Sequence, residues 1–290
     1  MANAPERDAH SGTTTTGHEW DGLKELNTPL PTWWLWTFYA TIAFSLLWLV
    51  LYPALPFTGT GLLGSIARQE ADADHAARIA AAEPMLARLR QAELPEILAD
   101  AELRAYAIAG GRTAFGNSCA GCHGAGGQGA AGGFPSLADD DWLWGGRLAE
   151  IEQTIRHGIR APDDAETRLS QMPRFLADGM LTAAQVGDVA EHVLSLSGRG
   201  TDAAAAARGA SLFAENCVAC HGERGEGNRE LGAPSLADAV WLYGGDRASV
   251  ARSISYARAG VMPAWGARLD PAVIRMLVVY LHSLGGTEGQ

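Results

Sequence analysis

Gly116-Asn117-Ser118-Cys119-Ala120-Gly121-Cys122-His123-Gly124 is the stretch on which the reading turns, and it returns as Ala214-Glu215-Asn216-Cys217-Val218-Ala219-Cys220-His221-Gly222. The return extends well beyond the cysteines. Pro135-Ser136-Leu137-Ala138-Asp139 reappears as Pro234-Ser235-Leu236-Ala237-Asp238, and Trp142-Leu143-Trp144-Gly145-Gly146 as Trp241-Leu242-Tyr243-Gly244-Gly245. Gln171-Met172-Pro173 matches Val261-Met262-Pro263, but the spacing between copies has shortened by then. The first copy therefore holds an extra stretch, placed at Arg160 to Leu169 and read as an acidic loop. A long internal repeat of this kind marks two similar modules.

Cys-x-x-Cys-His is the attachment motif of c-type haem. Two thiols at that spacing add to the two vinyl groups of one porphyrin, and the adjacent histidine ligates iron. Gly124 and Gly222 let the backbone pass close to the ring. The chain has four cysteines and the two motifs use all of them. A zinc ribbon would set its Cys-x-x-Cys pairs about 15 to 20 residues apart, and a thioredoxin-like pair needs a βαβ context. Neither is present, so two c-type haems per chain are expected, held by Cys119, Cys122, Cys217 and Cys220 with His123 and His221 on the irons.

The repeat also selects the sixth ligands. Met172 and Met262 correspond between copies, each preceding a proline, whereas Met180 and Met276 have no duplicate and Met85 lies outside both modules. Met276 reads as core packing. A thioether ligand raises the haem potential and closes the iron to oxygen, which favours electron transfer over catalysis. Which methionine serves which haem stays open, within one module or exchanged between them. His157, His192 and His282 are rival ligands better explained by structural roles. Trp142, Trp144, Trp241 and Tyr243 either line the haem edge with hydrogen bonds to propionates or pack as aromatic core.

The surrounding chain fits a membrane protein with helical modules. Residues 1–32 are polar and read as a mostly solvated tail. Trp33 to Leu55 is almost continuously apolar, and as a helix it would reach about 34 Å, enough to cross a bilayer core. Trp33, Trp34 and Trp36 at one end and Trp48 and Tyr52 at the other suit the two interfaces, and Pro53 and Pro56 close the run. The preceding region is long and acidic, unlike a signal peptide, so the helix is expected to stay as an anchor. Residues 57–100 form a helical connector, either resting on a partner subunit or solvated. Each copy opens with a helix, near 101–117 and 202–216, and closes with a capped one. Thr182 and Gln185 have capping-box spacing before Val186, Val189, Val193 and Leu196. Asp270 and Pro271 start the stripe Val273, Leu277, Leu281 and Leu284. Ser197-Gly198-Arg199-Gly200 is the hinge. The fold class is mainly α, with domains at 1–32 (tail), 33–56 (anchor), 57–100 (connector), 101–199 and 200–290. A formal net charge of −11 argues against nucleic acid and suits a basic protein partner.

With anchor, repeat and Asp139-Asp140-Asp141-Trp142-Leu143-Trp144-Gly145-Gly146 in view, the sequence resembles the membrane-anchored dihaem subunit, subunit III, of bacterial cbb3-type cytochrome c oxidases. The resemblance includes Gly17-His18-Glu19-Trp20-Asp21-Gly22 and Asn27-Thr28-Pro29-Leu30-Pro31 leading into Trp33-Trp34-Leu35-Trp36-Thr37-Phe38. It resumes from Glu102 to the end. It implies two tandem class I cytochrome c domains behind one transmembrane helix. It also implies an electron donor that is a soluble or membrane cytochrome c. The acceptors would be a monohaem cytochrome c subunit and the catalytic haem–copper subunit, where oxygen becomes water and protons are pumped. The expected location is the bacterial inner membrane, with the N-terminus cytoplasmic and the haem domains periplasmic, because haem attachment operates on that side. A dihaem shuttle without an oxidase, a dehydrogenase cytochrome subunit and a dihaem peroxidase are the competing classes. The paired methionines speak against the last.

Overall fold

The computed structural model describes residues 4–52, 62 and 67–285, and the chain divides into two units, Met1–Ala81 and Ala82–Gln290. In the first, β1 (Thr15–Trp20) pairs antiparallel with β2 (Leu23–Leu26). The turn is Asp21-Gly22, both with positive φ (50° and 83°), the combination a two-residue hairpin of matching twist requires. The polar tail thus holds a hairpin. Its side chains are nonetheless mostly exposed, apart from Thr15, which is 4% exposed.

Helix α1 (Thr32–Leu51) follows the hairpin, and none of its residues is buried in the unit. It is long and apolar enough to cross a membrane. Its hydroxyls bond back to its own carbonyls, Thr37 to Trp33 (3.0 Å), Thr41 to Phe38 (2.7 Å) and Ser45 to Thr41 (2.8 Å). These hydroxyls then make no demand on water, as a lipid environment requires. The closing prolines, Pro53 and Pro56, lie outside the described residues.

Helix α2 (Ala67–Gln91) begins in the first unit and ends in the second. Its last turns, together with α3 (Leu94–Ala99), supply Leu89, Leu94 and Ile97, all buried in the main core of the second unit. The expected module boundary at 100 therefore falls inside packed structure. The apolar residues that make this so are few, and the Ala-rich, charged surroundings conceal them in the sequence.

The remaining helices come in repeat-related pairs. Helices α4 (Ala101–Ser118), α5 (Ala120–His123), α6 (Leu148–His157) and α7 (Ala183–Leu196) belong to the first copy. Their counterparts are α8 (Ala203–Asn216), α9 (Val218–His221), α10 (Arg247–Tyr256) and α11 (Pro271–Ser283). The caps form as read. Thr182 and Gln185 close a capping box, and the Asp270 carboxylate accepts from Ala272 N with Pro271 in the first turn.

Packing crosses the repeat. One core joins α4, α6 and α11, with Phe115, Ile151, Leu277 and Leu281 among its buried residues. The other joins α7, α8 and α10, through Val186, Val189, Phe213 and Val250. The opening helix of each copy thus pairs with the closing helix of the other. The reason lies in near-identical interfaces. Gly111 lets α4 approach α11 so closely that a Cβ there would stand 2.2 Å from Met276 O, and Gly209 does the same for α8 against α7, 2.1 Å from Asp188 O. When both copies present the same glycine notch and the same facing helix, exchange sacrifices no contact. The linear division near 200 separates the copies of the repeat, not the packed cores.

Candidate haem sites

Each Cys-x-x-Cys-His segment is a single helical turn capped by the first cysteine. His123 N donates to Cys119 O (3.0 Å) and His221 N to Cys217 O (2.9 Å). The chain then leaves through Gly124 and Gly222, both at φ 78°, where an L side chain would be strained. Past the turn, Gly129 N bonds His123 O (2.7 Å) and Gly227 N bonds His221 O (2.8 Å), which folds the following loop back over the motif.

That loop orients the histidines. Nδ1 of His123 lies 3.0 Å from Pro135 O, and Nδ1 of His221 lies 3.0 Å from Pro234 O. A carbonyl can only accept, so Nδ1 carries the proton and Nε2 is left with its lone pair, the state an iron ligand needs. The repeated Pro-Ser-Leu segment is thereby explained as the support of the motif histidine. Burial also pushes the His221 imidazole below its ordinary pKa, favouring the neutral ring.

The surroundings fit a porphyrin with carboxylate arms. Cys119 and Cys217 are half-buried against the two apolar cores, and burial pushes each thiol up to about 11. Trp241 Nε1 and Arg168 Nε are buried without a protein partner. Buried donors of this kind ordinarily find acceptors, and propionate oxygens are acceptors the protein itself does not supply. Arg168 also lies over the Trp144 ring (5.1 Å) and Arg258 over the Tyr243 ring (4.9 Å), the two rings being a repeat-related pair. Trp144 seats against Gly232 and Tyr243 against Gly133, each on the opposite copy. These two aromatics therefore mark the seam between the copies.

Met262 packs on the core that contains Cys119, and Met172 on the core that contains Cys217. The backbone carries them there. Ile159 and Met262 exchange both of their hydrogen bonds, at 3.0 Å each, and Trp265 N donates to Ile155 O at the end of α6 (3.0 Å). In the other direction, Phe175 N donates to Ile254 O at the end of α10 (3.2 Å).

The rival groups are occupied elsewhere. His157 Nδ1 lies 3.1 Å from Asp164 and its Nε2 3.4 Å from Glu166. The His192 ring sits 5.0 Å from that of Phe213, and His282 is half-buried on α11. Met276 is 5% exposed in the core, Met180 is 52% exposed, and Met85 packs on the same core as Leu89.

Two helical cores, each with a supported haem-binding turn, behind one apolar helix, define a membrane-anchored dihaem cytochrome c. Residues 12–59 match the family model for the N-terminal domain of cytochrome oxidase-cbb3, FixP. Residues 108–197 match cytochrome c, and residues 204–281 match cytochrome c oxidase, cbb3-type, subunit III. The chain is 53% identical to a cbb3-type cytochrome c oxidase subunit CcoP of Azospirillum brasilense over 97% of this chain and 98% of that one. It is 48% identical to the CcoP of Cereibacter sphaeroides over 99% and 100% of the two chains. It is 50% identical to the subunit FixP of Bradyrhizobium diazoefficiens over 99% of each. The chain belongs to the CcoP/FixP family, subunit III of the cbb3-type cytochrome c oxidases, an electron-transfer component carrying two c-type haems.

Proposed function

We propose that the chain accepts electrons from a soluble or membrane cytochrome c. It relays them through its two haems to the monohaem and haem–copper subunits of a cbb3-type oxidase, which reduces oxygen to water and pumps protons. The relatives' names supply the oxidase context. The net charge of −11 suits a basic donor. On this reading the N-terminus is cytoplasmic and the haem domains are periplasmic at the bacterial inner membrane, because c-type haem is attached on that side.

Haem iron supplies one-electron chemistry when bound. The protein's part is to fix it. Cys119 and Cys122 would hold the first haem, with His123 as a ligand to its iron, and Cys217 and Cys220 the second, with His221. The methionines would be crossed, Met262 serving the first iron and Met172 the second. The observation that carries this pairing is the exchange of helices, which seats each methionine on the core of the opposite copy's cysteines. Crossed ligation would make each redox centre depend on residues of both copies.

Potentiometry of Met262→His and Met172→His variants tests it, with the affected haem identified by NMR contacts to labelled cysteines. Met262→His should lower the potential of the haem attached at Cys119 and Cys122, and Met172→His that of the other, because axial ligand identity strongly sets potential. A shift at the same-copy haem instead would refute the crossing, and no shift at either would refute the ligand assignment.

A further inference from the structure

Arg160 opens the stretch placed only in the first copy, and its side chain reaches both methionine loops. Arg160 Nε donates to Gly260 O at 2.7 Å, and Arg160 Nη1 donates to Ser170 O at 2.7 Å. Gly260 stands two residues before Met262, and Ser170 two residues before Met172. Since Gln171-Met172-Pro173 matches Val261-Met262-Pro263, these two carbonyls are equivalents in the repeat. One guanidinium therefore joins the same point of both loops.

The backbone around Arg160 is built to hold it there. Its φ is 53°, a left-handed value that a non-glycine residue adopts only when its surroundings impose it. On one side Arg160 N donates to Arg168 O (2.8 Å), closing the extra loop, which is pinned again by Ala161 N to Thr167 Oγ1 (3.0 Å). On the other, Ile159 is paired with Met262 through both backbone bonds. An arginine suits the task because its planar fork presents several donors in fixed directions, which a lysine's single ammonium cannot reproduce.

We propose that Arg160 is a positioning residue that clamps the two methionine loops together, so that the coordination of both irons depends on one side chain. This rests on Met172 and Met262 being the axial ligands. Its consequence is specific. A residue that merely stabilised one of the two cores would affect one iron, whereas the clamp must affect two that are held by different loops.

The test uses the full-length, haem-loaded chain and follows displacement of methionine from ferric iron by imidazole, read from loss of the far-red methionine–iron absorption band. Wild type is compared with Arg160→Ala in the Met172→His and Met262→His backgrounds, each of which leaves a single methionine-ligated iron to observe. Arg160→Ala should raise imidazole affinity about tenfold at each iron, the scale of losing one hydrogen bond from a charged donor. Arg160→Lys, which keeps charge and length, guards against general unfolding and should raise affinity at both irons by a smaller factor. An unchanged affinity at either iron in both Arg160 variants would overturn the clamp. If the Met→His backgrounds do not each remove one methionine–iron band, the ligand assignment has failed instead, and the two failures are told apart before Arg160 is touched.

Discussion

Phe115 and Tyr280 face each other with ring centroids 5.5 Å apart, one from each copy of the repeat. The mirror contact is His192 against Phe213, at 5.0 Å. Phe115 corresponds to Phe213, and Tyr280 to His192 when the closing helices are aligned on their caps. The same aromatic contact is thus made twice, both times across the copies. Stability is then shared. Neither copy has a complete core without the other.

Cutting the chain at the hinge should therefore not separate the modules. A protease site introduced at Gly198, in the exposed segment before Arg199 and Gly200, is expected to give two haem-bearing fragments that co-elute under native conditions. They should part only in denaturant. Fragments that separate natively and keep methionine-ligated haem would show that each copy folds alone.

Closing the glycine notches should act on one site each, in the crossed pattern. Gly111→Val drives a side chain into α11 near Met276, and Gly209→Val drives one into α7 near Asp188. Overpacking of this kind costs about 1–3 kcal/mol. Gly111→Val should loosen the iron bound by His123 and leave the other spectrum intact, and Gly209→Val the reverse. Thermal unfolding together with the far-red band of each variant reads both effects.

Much of this architecture is legible in the residues themselves. The motifs, the anchor, the paired Met-Pro loops and the helix caps follow from residue type and spacing. The hairpin at 15–26 is harder to see, although Trp20-Asp21-Gly22-Leu23 carries the Asp-Gly turn signal; its short strands lack a buried face that would betray them. Leu89, Leu94 and Ile97 are hidden among alanines and charges. The exchange of helices has no signal to find. Gly111 and Gly209, or Phe115 and Phe213, look alike in either pairing, and only the geometry of the loops selects one. Arg160 reads only as the start of an insertion, since a bond to backbone carbonyls leaves no pattern in sequence.

Glu191 gives a pH dependence. Its side chain is 2% exposed, and it accepts from Thr201 N (3.0 Å), Asp202 N (3.2 Å) and Arg247 Nε (2.7 Å), fastening the hinge to α7 and α10. The backbone bond from Thr201, with those from Asp202 and Arg247, outweighs burial and holds the carboxyl below its ordinary range. A depressed folded pKa adds stability above the unfolded value, about 4.3 for glutamate, and that stability is lost as pH falls through the lower folded value. Glu191→Gln should thus be less stable at neutral pH, with the difference from wild type shrinking below about pH 4. Denaturation midpoints across that range measure it. A difference independent of pH would mean the ionised form contributes nothing.

The isolated chain should carry electrons without reacting with oxygen. Nδ1 of each haem-motif histidine is engaged by a proline carbonyl, which leaves Nε2 for iron, and each methionine sits on the core beside the opposite copy's cysteines. An iron held on both faces has no position for a diatomic ligand. Reduced protein should therefore bind carbon monoxide poorly at both haems and reoxidise slowly in air. Arg160→Ala supplies an internal control, because loosening both methionine loops should make carbon monoxide binding measurable at both irons. Rapid binding by the wild-type chain would mean that one iron is open, and the relay would then have to be regarded as a site of oxygen chemistry.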